Sequence, residues 1–426
     1  MFLAGSRLPS QWLGGRVSSG GQAIAEGNPF DRAVFFGLIT IAIGILVLRS
    51  FQWGDFFARN IFLMAFIVFA LVSVAWSDFP FISFKRWFRD LGNYLVVLVV
   101  LSDPRPLEAV RALLRRLFYL LIPLSILLVK YFPDSGRSYD AWSGLASYSG
   151  VTTGKNLLGI ICAVGGIFFF WDTVTRWSDR KVPTTKRIIV TNFVFIGMAL
   201  WLLNLAHTTT SNVCIALGGA VVLGVHWRKR QTTLIKILIP ATFFIYLILA
   251  FGFNLNGNLA GELGKDPTLT DRTSIWNILL GMHTNPIVGT GYESFWLSYR
   301  DSPASTTFPW LNEAHNGYLE LYLNLGLIGV TLLVGVLIAG YRNICKMLKP
   351  FSEMAPLFLA LFIVVLFYDM TEVGFRGALV WDILMLILIS APPGLRVGKV
   401  GLAGPSSADR VSGLRKFPLK SAIQRR

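Results

Sequence analysis

Long apolar runs separated by short polar connections dominate the chain, near 33–48, 57–76, 84–101, 117–132, 157–171, 188–206, 213–227, 234–253, 318–339, 355–369 and 378–391. Several approach the ~20 residues that an α-helix needs to cross a bilayer. Lipid leaves no water to satisfy backbone groups, and no alternating barrel pattern is present, so the runs predict helices. The expected fold class is all-α: a polytopic transmembrane helical bundle of about eleven to twelve spans. We divide the chain into a polar N-terminal segment (1–30), transmembrane helices (31–253), a large loop containing short helices (254–317), further transmembrane helices (318–391) and a basic tail (392–426).

Composition agrees, with 54% hydrophobic and only 15% charged residues in 426, where soluble domains carry about 25% charged. The net charge of +16 does not imply nucleic acid, because no groove-reading motif appears. Basic residues instead gather on connections of one parity: 102–116, 172–187, 228–230, 342–349 and the tail. The positive-inside rule makes that side cytoplasmic, next to anionic membrane lipids. Loops 133–156 and 254–317 then face outward, the second acidic on balance. Counting eleven segments back from a cytoplasmic tail leaves the N-terminus outside, and Arg7, Arg16 and Arg32 give that no clear support. The segment 1–31 lacks the early apolar core of a cleavable signal peptide. Cys162, Cys214 and Cys345 lie in or beside apolar runs without paired spacing, as reduced residues do.

One polar-to-apolar junction stands out. His315-Asn316 closes the long outer loop, and nine residues later come Gly326, Gly329 and Thr331. A histidine at a helix start lies in a field that attracts anions and disfavours imidazolium, leaving a neutral imidazole that can accept a proton. Gly326 and Gly329, at helical spacing, would let another helix approach closely. A plain polar cap on a membrane helix is the competing reading. Arg272 follows Thr270-Asp271 and precedes Ile275, Trp276, Leu279 and Leu280, a capped amphipathic helix; it either binds an anion or lies on that helix's solvated face. Lys155 and Asn156 end a Gly/Ser/Thr-rich outer loop at a helix start, an anion seat or a lysine snorkelling to the interface.

The pattern His315-Asn316, nine residues, Gly326-x-x-Gly329-x-Thr331 resembles the signature of the O-antigen ligase and polysaccharide polymerase superfamily, with its Wzy- and ExoQ-like members. The stretches 269–276 and 285–295 are similar to that family's outer loop, and Gly154-Lys155-Asn156 and Thr371-Glu372 also fit, so that the resemblance covers roughly residues 70–390. It implies a bacterial inner-membrane glycosyltransferase with its active site facing the periplasm. The donor would be a glycan on undecaprenyl diphosphate and the acceptor a glycan hydroxyl, with no cofactor and no metal. His315 would be the base or orienting acceptor, while Arg272 and Lys155 would bind the diphosphate. Asn316, Glu320 and Glu372 would support them. A polysaccharide flippase and chain-length regulator proteins are candidate partners. The family often carries Ser-Arg where this chain has Ser211-Asn212, so Lys155 or Arg300 would have to stand in for a second arginine.

Other readings stay open. Glu320, one turn inside the apolar run, could face a water-filled cavity, pair with a base, or only stabilise Asn316. Glu372 and Arg376 could close the cavity or pair with each other; Asp382 has no evident partner. His207 is a second candidate catalytic group, whereas His226 and His283 fit structural roles. No His-x-x-x-His, Cys-x-x-Cys or Asp-x-Asp spacing suggests a metal site. The ligase alternative would join polysaccharide to the lipid A core; a transporter or flippase would use the same polar groups nearer the bilayer midplane.

Overall fold

The computed structural model of the chain describes residues 7–12, 28–49, 51–139, 146–227, 272–282, 284–302, 304–307, 311–348, 352–375 and 379–390, with 233, 236, 240 and 241 between them. Helices follow the apolar runs: α1 (Pro29–Leu48), α2 (Trp53–Arg59), α3 (Ile61–Val72), α4 (Pro80–Leu101), α5 (Pro106–Tyr131), α6 (Lys155–Arg176), α7 (Pro183–Ala206) and α8 (Thr209–Trp227). The outer loop supplies α9 (Arg272–Gly281) and α10 (Phe295–Arg300), and the last helices are α11 (Gly317–Met347), α12 (Ala355–Tyr368) and α13 (Leu379–Ser390). Among the described residues, six helices (α1, α5, α6, α7, α8 and α11) are long and apolar enough to cross a membrane alone. The pair α2–α3 does so with a 92° bend. The predicted run 234–253, loop residues 254–271 and the tail 392–426 fall largely or wholly outside the described residues. Among the described residues, the one regular element that is not a helix is a two-stranded antiparallel ribbon in the loop 133–156, Arg137–Tyr139 against Ala146–Tyr148.

α6 sits at the centre, buried along most of its length. α12 and α13, shorter than a full span, are enclosed almost completely. Lipid is therefore met mainly by the other helices, whose outward faces carry exposed side chains such as Phe36, Ile41, Val194 and Ile338. The N-terminal segment joins the same face as the loop 133–156: Arg7 Nη2 donates to the carbonyls of Ser135 at 2.7 Å and Thr152 at 2.8 Å. At the opposite face, the fully buried Asp172 carboxylate takes Arg111, Arg115, Arg176 and Asn192. Basic residues of the 102–116 and 172–187 connections thus share one end of the bundle.

α11 is not continuous. Gly326 has φ 62° and ψ −164°, breaking the helix nine residues after its start. Close approach of another helix was the expectation for this glycine; what approaches is the loop 286–291, a run of turns. Its backbone takes over the groups that the break releases. Leu327 and Ile328 N–H donate to the carbonyls of Pro286 and Ile287 at 2.9 and 3.1 Å, and Thr290 and Gly291 N–H donate to those of Leu323 and Asn324 at 3.1 and 2.9 Å. Any Cβ at position 326 would lie 2.3 Å from the Ile287 backbone. We expect Gly326→Ala to lower the thermal midpoint in detergent, with backbone strain alone costing about 1–3 kcal/mol. An unchanged midpoint would mean that loop 286–288 can retreat without loss.

Candidate active site

Four separate stretches meet at the mouth of the bundle. Glu372, in the turn after α12, is their centre: its carboxylate is only 5% exposed. Oε1 accepts from Arg272 Nη2 at 2.8 Å, and Oε2 accepts from Asn156 Nδ2 at 2.8 Å. His315 Nδ1 lies 3.7 Å from the same Oε2 and 3.1 Å from Glu313 Oε1, within ion-pair range of both. It lacks the alignment of a hydrogen bond with either. Asn156, Arg272, His315 and Glu372, far apart in sequence, therefore form one cluster.

Each member is held by its own element. α9 buries Ile275 and Leu279 in a small core with Phe295, Trp296, Tyr299, Leu311 and Leu323. Arg272, the first residue of α9, is thereby carried to Glu372 and is 15% exposed, so it does not lie on a solvated face. Leu280, expected on the apolar side, is exposed. Trp276 Nε1 donates to the Ala314 carbonyl at 2.9 Å, while the Ala314 N–H donates to Glu320 Oε2 at 3.0 Å. The peptide before His315 is thus clamped from both sides. Glu320 completes the clamp by accepting from Trp296 Nε1 at 2.5 Å. It is a buried staple between α10 and the peptide before His315.

Asn316 is the N-cap of α11, its Oδ1 accepting from Tyr318 and Leu319 N–H at 3.0 Å each. A cap of this kind is worth about 1 kcal/mol. His315 therefore precedes the helix, with φ 47° in the left-handed region, which histidine tolerates better than most side chains. The polar-cap reading holds for Asn316 and not for His315. Behind them, Gly317 N–H donates to the Asp369 carbonyl at 2.7 Å, and a Cβ on Gly317 would lie 2.0 Å from Asp369 Oδ1. The Asp369 carboxylate in turn receives the N–H groups of Gly374 and Phe375. It thereby shapes the turn that presents Glu372. Thr371 shares a hydroxyl hydrogen bond of 2.9 Å with Thr210 of α8.

The electrostatics reverse one expectation. Burial by itself lowers the proton affinity of His315, but the carboxylates of Glu372 and Glu313 outweigh it and raise the imidazole above its ordinary 6.5, with Arg272 opposing them. The helix-start field was expected to disfavour the imidazolium; the two neighbouring carboxylates shift the imidazole the other way.

Remaining candidates lie apart. Lys155 is the first residue of α6 and is exposed, beside Asn156 at the rim of the cluster. His207 is an exposed left-handed C-cap of α7 and has no described contact with the cluster. Asn212 and Arg300 are exposed, whereas Ser211 is buried against Gly159. Arg376 lies outside the described residues. Glu313, His315 and Glu372 each bring one donor atom within 4.8 Å of the others, a spacing that a cation could bridge. Arg272 already supplies positive charge to Glu372 there, so we read the group as an ion-pair cluster. Short-spacing rules missed this grouping because Glu372 comes from another helix pair. Glu313 and Asp369 were also missed; Glu313, two residues before His315, was the more findable.

These features define a helical membrane protein whose polar chemistry is concentrated in an ion-paired pocket at one face. Residues 193–334 match the O-antigen ligase family, Wzy_C. Over 316 aligned residues the chain is 26% identical to the exopolysaccharide production protein ExoQ of Rhizobium meliloti (strain 1021), covering 68% of this chain and 67% of that relative. These matches support an O-antigen ligase and ExoQ-like superfamily assignment, and the apolar helices make the chain a multi-pass membrane protein. The family match contains Arg272 and His315 but begins after Asn156 and ends before Glu372.

Replacing Glu372 by Gln removes the less exposed of the two carboxylates facing His315. The His315 titration, followed by imidazole NMR of histidine-labelled protein in nanodiscs, is expected to move to lower pH. Glu313→Gln should move it less, because Glu313 is 37% exposed and solvent screens it. A titration indifferent to both changes would contradict the cluster.

Proposed function

We propose that this protein is an inner-membrane glycosyltransferase that moves an undecaprenyl-diphosphate-linked oligosaccharide onto a sugar hydroxyl at the periplasmic face. The observation that carries the reading is the convergence of Arg272 and His315 on one buried carboxylate. With Nδ1 turned to Glu313 and Glu372, His315 has Nε2 left to take the proton of the acceptor hydroxyl as its oxygen attacks the anomeric carbon. The bond from that carbon to the diphosphate breaks, and the electron pair leaves on the phosphate oxygen. Arg272, joined by Lys155 at the rim, supplies charge to the departing diphosphate, so the proposed step requires no metal ion. Charge met as the bond breaks speeds turnover and does not merely tighten binding.

The periplasmic assignment rests on the basic residues gathered at the end of the bundle opposite His315. We favour polymerisation of a lipid-linked repeat, supported by the likeness to a protein named for exopolysaccharide production. The ligase alternative uses the same site with the lipid A core as acceptor. A polysaccharide flippase and chain-length regulators are the partners such a polymerase would work beside. The break in α11 is a feature that transporters use to bind ions or substrates. Here the four backbone groups named at Gly326 are bonded to loop 286–291, which favours transfer over transport.

In a deletion background, His315→Ala is expected to lower transfer about a hundredfold or more, as removal of a general base does; Arg272→Ala should give a comparable loss. Both should keep normal membrane levels. Surface glycan separated by chain length reads the outcome. Single repeats attached to the core would identify a polymerase, and lipid-linked polymer accumulating without attachment a ligase. Wild-type long chains in both variants would reject the assignment.

A further inference from the structure

Glu372 occupies an unusual position between the two halves of the proposed reaction. One carboxylate oxygen holds the guanidinium assigned to the leaving group, and the other faces the imidazole assigned to the acceptor. Asn156 fixes that second oxygen independently of Arg272. The carboxylate would therefore keep its orientation if Arg272 moved away. At 5% exposure, it could not stay unpaired without a large desolvation cost, and among the described residues the nearest alternative cation is a protonated His315.

We propose that Glu372 is a positioning residue that couples leaving-group departure to proton uptake: Arg272 exchanges its carboxylate for the diphosphate as the sugar–phosphate bond breaks, and the carboxylate left behind holds the imidazolium formed when His315 takes the acceptor's proton. This rests on the diphosphate reading of Arg272. The exchange needs no new reactant. The proton passes from acceptor hydroxyl to His315, the electron pair passes from the sugar–phosphate bond to the diphosphate, and one guanidinium changes partner. Before reaction, Arg272 restrains the proton affinity of the imidazole, which keeps a larger fraction neutral and able to act. Once Arg272 is drawn off, the same imidazole becomes a better resting place for the proton. Stabilisation that appears only as charge develops on the leaving group is the kind that accelerates a reaction. The charged groups facing His315 are Glu313, Glu372 and Arg272; Glu313 keeps its place throughout and acts as a constant background.

The test uses the full chain in lipid nanodiscs and geranylgeranyl diphosphate, which carries the leaving group's charge without a sugar. With four histidines in the chain, the His315 resonance is assigned by its loss in His315→Gln. The probe is expected to raise the wild-type His315 titration midpoint by about one pH unit, the scale of gaining an unshared carboxylate. Arg272→Gln without probe should already titrate near the loaded wild type, and in Glu372→Gln the probe-induced shift should largely vanish. Inorganic pyrophosphate should reproduce the shift at higher concentration, because the guanidinium reads the phosphates and the tail supplies membrane residence. Saturable binding with an unmoved wild-type midpoint would overturn the coupling and leave the diphosphate site standing. An equal shift in Glu372→Gln would also overturn it, since the probe's own field would then suffice. Failure of both probes to bind would overturn the coupling together with the site. The wild-type comparison decides even if a variant does not assemble.

Discussion

A buried carboxylate must find positive charge or hydrogen-bond donors, and that requirement organises the working face of this molecule. Glu372 gathers Arg272 from the outer loop, Asn156 from the start of α6 and the imidazole before α11. Glu320 gathers Trp296 and the Ala314 peptide, and Asp369 gathers the peptides of Gly374 and Phe375. Segments remote in sequence are registered against one another by three acids that cannot remain unpaired. The small apolar core of α9 and α10 supplies packing, but apolar contact is indifferent to direction; the acids decide where Arg272 and His315 point.

The same requirement governs the backbone. Irregular chain at membrane depth is tolerated only where protein satisfies its polar groups, and the break at Gly326 meets that condition through loop 286–291. The loop is in turn fixed by the break, since Gly289 packs on the Asn324 backbone so closely that a Cβ would lie 2.4 Å away. Two glycines thus interlock an outer loop with a membrane helix. The first part of α11 becomes a short, separately anchored segment, with Asn316 capping one end and Gly326 ending the other. His315 is carried at the head of that segment, and its position depends on both anchors.

Much of this was legible in the chain because lipid makes composition a strict guide. Every predicted apolar run within the described residues is helical. The candidate residues Lys155, Arg272, His315 and Glu372 were recognisable as polar groups at ends of apolar helices. Sequence position alone could not tell which of them touch, because Glu372 reaches Arg272 across a hundred residues and Asn156 across more than two hundred. The direction in which the His315 proton affinity moves was not legible for a related reason: a helix terminus can be read from the chain, whereas the approach of Glu313 and Glu372 depends on a left-handed residue and a packed turn. Gly326 was noticed as a small residue, but nothing in its spacing distinguishes room for a helix from room for a loop of turns.

The two ends of the bundle answer the same problem in opposite ways. Around Asp172, three arginines and an asparagine share one carboxylate, so the anion is saturated and a proton has nothing to gain there. Around His315, Glu372 holds Arg272, and Glu372 and Glu313 both lie within ion-pair range of the imidazole, so a proton on that ring is favoured. That difference separates a carboxylate surrounded by cations from a cluster whose histidine has a proton to gain. In the proposed exchange, it gives the imidazole a reason to change protonation state when the arginine is claimed by another anion, and it makes the arginine's choice of partner the variable that the chemistry would act on.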